Sequence, residues 1–138
     1  MNSLILFFSG RILLPLSIAL SLWLLWRGHN APGGGFIGGL VAAAGIAVHA
    51  LARGPGVVGA ILRLRPTTIA AVGVLLALAS SLPGFVGGAP LLTHQWWISE
   101  GGFALGTTLL FDSGVYLAVA GSVLTFLVPY LDERRFPE

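Results

Sequence analysis

The chain has 138 residues, 56% of them hydrophobic and 9% charged, with seven arginines, no lysine, five acids and a formal net charge of +2. A soluble domain carries about a quarter charged residues, so this composition excludes a water-solvated surface and makes the bilayer the natural solvent. The arginines are scattered rather than gathered on one face, which excludes nucleic acid as a partner, and the absence of cysteine excludes disulfides and thiolate metal sites.

Apolar runs approaching twenty residues predict an all-α integral membrane protein of four transmembrane helices, near residues 4–26, 35–51, 67–85 and 105–131, in one domain spanning 1–138. The start, Met1-Asn2-Ser3 and then apolar, lacks the basic residues and cleavage site of a signal peptide, so the first run reads as a retained helix. It places Trp23 and Trp26 at interface depth. Pro15 inside it deletes one backbone hydrogen bond, predicting a kink or a first turn. Arg11 lies two turns in, within reach of the surface by snorkelling or of an acid on a partner or on the fourth helix.

The stretch Gly28-His29-Asn30-Ala31-Pro32-Gly33-Gly34-Gly35-Phe36-Ile37-Gly38-Gly39-Leu40 separates the first two spans. Its concentration of glycine, proline and polar residues between apolar runs marks a specified loop rather than filler. The second span is dominated by small residues, with Gly34 and Gly38, Gly35 and Gly39, and Ala42 and Gly45 at three- and four-residue steps. In lipid, that spacing admits a closely packed neighbour, so this helix is expected between others.

Arg53-Gly54-Pro55-Gly56 ends the second span, and Pro66 opens the third, proline being tolerated in a first helical turn. Pro83-Gly84 and Gly87-Gly88-Ala89-Pro90 break it. Leu91 to Gly102 reads as a loop containing His94, Trp96, Trp97 and Glu100, and the fourth span ends near Leu131. Arg53, Arg63, Arg65, Arg134 and Arg135 fall on one side of this layout and Arg27 on the other. The positive-inside rule then puts both termini in the cytoplasm and the glycine-rich loop outside.

The titratable inventory is small. Transmembrane charge pathways are marked by several ionisable groups within hydrocarbon, and this chain offers one clear acid, Asp112, in Leu110-Phe111-Asp112-Ser113-Gly114-Val115-Tyr116. If the fourth helix starts near Phe103, Asp112 lies inside it and needs a partner or water. If the helix starts after it, Asp112 is an N-cap, a role that suits a carboxylate. His29 either caps the end of the first helix or titrates in the physiological range at the loop. His49 reads as a buried or interfacial polar residue. Haem, nucleotide and resident metal are not expected as cofactors. Only His49 among the histidines is helical, whereas paired histidines on facing helices are needed for haem. The glycine loop lacks the Lys-Ser/Thr end of a phosphate loop.

These two motifs resemble the MrpB/MnhB family, small subunits of the multisubunit Na⁺(K⁺)/H⁺ antiporters of bacteria. The resemblance covers essentially the whole chain, with Ser113 standing where the family usually has an apolar residue. It implies a non-catalytic subunit in the bacterial plasma membrane whose partners are other membrane subunits of a hetero-oligomeric antiporter. Larger subunits there carry the lysine and glutamate proton relays. In this reading Asp112 and His29 are the candidates for the cation or proton pathway. Gly28, Asn30, Pro32, Gly33, Gly34, Gly35, Phe36, Gly38 and Gly39 shape the loop and the packing of the second helix. The rival readings are a purely structural scaffold and an accessory subunit of a related redox-driven complex such as a membrane-bound hydrogenase.

Overall fold

The computed structural model describes residues 4–28, 33–86, 88, 96–98 and 104–131. Helices α1 (Leu4–Arg27), α2 (Gly35–Arg53), α3 (Gly56–Leu62), α4 (Pro66–Ala79), α5 (Leu82–Val86) and α6 (Thr107–Leu131) are joined by a two-stranded antiparallel ribbon, β1 (Trp96–Ile98) and β2 (Ala104–Gly106). Among the described residues, four stretches are long and apolar enough to cross a membrane: Phe8–Arg27, Gly35–Arg53, Gly56–Gly84 and Thr107–Leu131. A backbone in hydrocarbon must satisfy its own amides and carbonyls, which is why these runs close into helices.

Two expectations need correction. The third span is not one helix over 67–85 but two pieces, α4 and α5, preceded by the short helix α3. Arg63 takes a left-handed conformation (φ 56°) that stops α3, and Pro66, with no amide hydrogen to place, opens α4. The segment 91–102 is not all loop: Trp96 pairs with Gly106, Trp97 with Leu105 and Ile98 with Ala104. Aromatic and branched residues favour extended backbone, and the cross-strand pairing satisfies amides that a bare loop would leave to solvent. Pro15 neither starts nor stops a helix, since α1 runs through it.

The helices pack in a row, α1 on α2, α2 on α6 and α6 on α4. Half of the α2 span is buried, against 11–22% of the other three, so of the two inner helices of the row, α2 and α6, the glycine- and alanine-rich one is the more deeply enclosed. The densest apolar cluster, Ala43, Ile46, Ala50, Val58 and Leu124, sits toward the carboxyl end of α2, where Leu14, Ile18 and Val128 close around it. The α4–α6 seam is built from bare backbone. A Cβ on Gly114 would lie 2.7 Å from the Gly73 carbonyl oxygen, and one on Gly121 would lie 2.7 Å from the Pro66 carbonyl oxygen. Dispersion between closely approaching backbones replaces the hydrophobic drive that lipid cannot supply.

Several hydroxyls in the helices, and two in the turn after α4, bond back to a carbonyl three or four residues earlier. Ser17 Oγ donates to the Leu14 carbonyl, Ser21 to Ile18, Ser80 to Ala77, Ser81 to Leu78, Ser113 to Leu109 and Thr125 to Gly121, all at 2.6–2.9 Å.

Candidate functional site

The two sequence motifs, more than seventy positions apart, meet at one crossing. Gly28 ends α1 and its amide donates to the Leu24 carbonyl at 3.0 Å; the Gly34 amide donates to the same oxygen at 3.2 Å. One carbonyl at the end of α1 thus ties down the start of α2. A side chain on Gly28 would run into the backbone of Gly34. Gly34 itself has φ 92° and ψ −172°, a region that only glycine occupies without strain.

Beyond this turn, α2 presents Gly35 and Gly39 to the first turns of α6. A Cβ on Gly35 would strike the Asp112 carbonyl oxygen and lie 2.8 Å from the Tyr116 amide nitrogen. On Gly39 it would come within 2.7 Å of the Tyr116 carbonyl oxygen. Asp112, Tyr116 and Val119 follow one another on α6 at four- and three-residue steps, so one stripe of α6 lies along the glycine face of α2. Phe36, the next residue, is more than half exposed.

Asp112 is not the N-cap of its own helix. That helix begins at Thr107, which places the carboxylate inside the second turn, half-buried. The capping expectation used only the local preference of aspartate for helix starts; β2 instead delivers the chain into α6 five positions earlier. The carboxylate lies beside the start of α2, and a Cβ on Gly34 would be 3.7 and 3.8 Å from its two oxygens. The first amides of a helix lack partners within it, and its amino end carries partial positive charge. This positive, donor-rich end suits the ionised carboxylate of Asp112 at an otherwise apolar crossing.

His29, Asn30 and Pro32, like His94 and Glu100, lie outside the described residues. His49 is buried, and its Nδ1 lies 2.8 Å from the Gly10 carbonyl oxygen of α1. A carbonyl only accepts, so the ring nitrogen is the donor and the histidine fastens α2 to α1. Among the described residues no three His, Asp or Glu side chains cluster in a way that could hold a metal ion.

Sequence reasoning missed Ser21. It is fully buried in α1, and its Oγ lies 3.0 Å from the Tyr116 hydroxyl. The signal was present: Gly10, Ser17 and Ser21 fall on one face of an otherwise leucine-rich helix, at steps of seven and four.

A row of apolar helices with one acid at a glycine crossing defines a multi-pass helical membrane protein. Residues 5–125 match the family described as a domain related to the MnhB subunit of Na⁺/H⁺ antiporter. The B-type Na(+)/H(+) antiporter subunit of Bacillus subtilis (strain 168) is 37% identical over 130 residues, covering 91% of each chain. A probable K(+)/H(+) antiporter protein of Rhizobium meliloti (strain 1021), whose name joins the A and B subunits, is 33% identical over 86% of this chain, which spans only 12% of that protein. A chain in the structure of the Mrp complex from Dietzia sp. DQ12-45-1b superposes on 97% of this chain with a TM-score of 0.79 and 37% identity; this chain spans 14% of its length. The chain belongs to the MnhB family.

Proposed function

We propose that this chain is a non-catalytic subunit of a multisubunit cation/proton antiporter, supporting assembly and contributing Asp112 to the cation route. Family membership and likeness to a chain of an Mrp complex support the assembly. The relative of Rhizobium meliloti supports an A-type antiporter subunit as direct neighbour, since a sequence like this one is there part of one longer polypeptide named for both. The arginine distribution supports cytoplasmic termini in the bacterial plasma membrane, with the glycine loop outside.

The observation that carries the role of Asp112 is the crossing itself. Both motifs converge on one intramembrane carboxylate, and glycine after glycine keeps α2 backbone close to it. An ionisable side chain within a membrane-spanning segment is by default a functional candidate. The poverty of other titratable groups assigns the proton relays to companions. His29, in the same loop, is the proposed proton-sensitive neighbour.

The test is Asp112→Asn in the intact complex, with antiport assayed in membrane vesicles. The expected result is normal assembly with weakened apparent cation affinity or an altered pH profile. Unchanged affinity and profile would retire the transport role and leave a scaffold. Loss of the complex with both Asp112→Asn and Asp112→Ala would also favour the scaffold.

A further inference from the structure

We infer that Tyr116 is a positioning residue for Asp112, acting through a hydrogen bond to Ser21 that reaches across α2 at Gly38. The inference rests on the reading of Asp112 above and adds what holds that carboxylate's helix in place.

α2 lies between α1 and α6, which have few contacts of their own. Yet a hydroxyl from each meets at 3.0 Å, with Ser21 fully buried. Gly38 makes the meeting possible. A Cβ there would lie 2.8 Å from the Ser21 carbonyl oxygen and 3.1 Å from Cδ2 of the Tyr116 ring. The missing side chain is a window through which α6 touches α1.

The direction of the bond follows from proton counting. The single hydroxyl proton of Ser21 is donated to the Ile18 carbonyl at 2.8 Å, so Tyr116 donates to Ser21 Oγ. The sequence of bonds, Tyr116 to Ser21 to Ile18, ends on a backbone carbonyl, which has no proton to hand on. It therefore fastens and does not conduct. What it fastens is the rotation and register of α6, and Asp112 lies one turn from Tyr116 on the same stripe. With the phenol anchored, the carboxylate stays beside Gly34; without it, α6 loses its fixed point on α1 and can turn or slide along the glycine face.

The experiment uses the whole complex in vesicles and compares Tyr116→Phe, Ser21→Ala, the double variant and Asp112→Asn. Apparent cation affinity and maximal rate are measured per assembled complex. Tyr116→Phe and Ser21→Ala are each expected to weaken apparent affinity by about two- to tenfold, the scale of one intramolecular hydrogen bond. The double variant should be no worse than Ser21→Ala alone, because the Tyr116–Ser21 bond is already lost in that single variant. If Asp112→Asn impairs affinity while Tyr116→Phe and Ser21→Ala leave it unchanged, or merely reduce the amount of complex, the positioning role is overturned and the Asp112 reading stands. Additive losses in the double variant overturn it too. An unaffected Asp112→Asn removes the Asp112 reading and this inference with it.

A second readout does not depend on transport. The chain has no cysteine, so Ser113→Cys gives it one thiol beside the carboxylate. Its labelling rate by a small maleimide should change when Tyr116→Phe is added, and an unchanged rate counts against the inference.

Discussion

Gly35→Ala should separate α2 from α6. The added methyl group would meet backbone, not the movable end of a side chain: the Asp112 carbonyl oxygen inside contact distance, the Tyr116 amide nitrogen at 2.8 Å and the Asp112 carbonyl carbon at 2.9 Å. Ordinary separation for such atoms is about 3.5 Å, so the helices must part by at least about half an ångström. A gap of that size already forfeits about a quarter of the dispersion well along the seam. Overpacking of this kind costs about 1–3 kcal/mol, and because all three of these atoms are backbone the expected cost is at the upper end. About 3 kcal/mol corresponds to a roughly hundredfold shift toward separated helices. The assay is thermal stability of the purified complex together with the fraction of this chain that co-purifies. Gly59→Ala is the control, since nothing lies within 4 Å of a Cβ there. Should Gly35→Ala be tolerated as well as Gly59→Ala, close backbone contact is not what joins α2 to α6.

Other substitutions separate strain from collision. Gly34→Ala has room, its Cβ 3.7 Å from Asp112 Oδ1, but forces alanine into a glycine region of φ and ψ; a loss of about 1–3 kcal/mol is expected, read as a lower melting temperature of the complex. His49→Leu removes the donor to the buried Gly10 carbonyl and should cost about 1–3 kcal/mol without altering apparent cation affinity in vesicles. Gly73→Ala and Gly114→Ala each press on the same α4–α6 contact. Their combined effect on thermal stability should therefore fall short of the sum of the two.

Much of the helical layout was written in local terms. Runs of Leu, Ile, Val and Ala announce helices in lipid, and the three- and four-residue spacing of Gly35, Gly38, Gly39 and Ala42 marks α2 as the helix with neighbours on both sides. Features set by distant partners were not legible. The start of α6 depends on β2, which exists only through pairing with β1, so the sequence left open whether the helix began before Asp112 or after it. The site was half legible: Asp112 and the glycine loop could each be singled out, but nothing in one motif specifies that it touches the other. The packing role of Gly73, Gly114 and Gly121 has no local signal, because its reason lies across a seam. Ser21 was hidden for the same cause, its partner being ninety-five positions away.

The hydroxyls of Ser17, Ser21, Ser113 and Thr125, which bond within their own helices, have a consequence for biogenesis. Each finds its acceptor within about one turn, so a segment leaving the translocon brings those groups into lipid already satisfied. Insertion of single segments and their later lateral meeting are then separable events, and a variant that blocks the second should still accumulate, inserted, in the membrane.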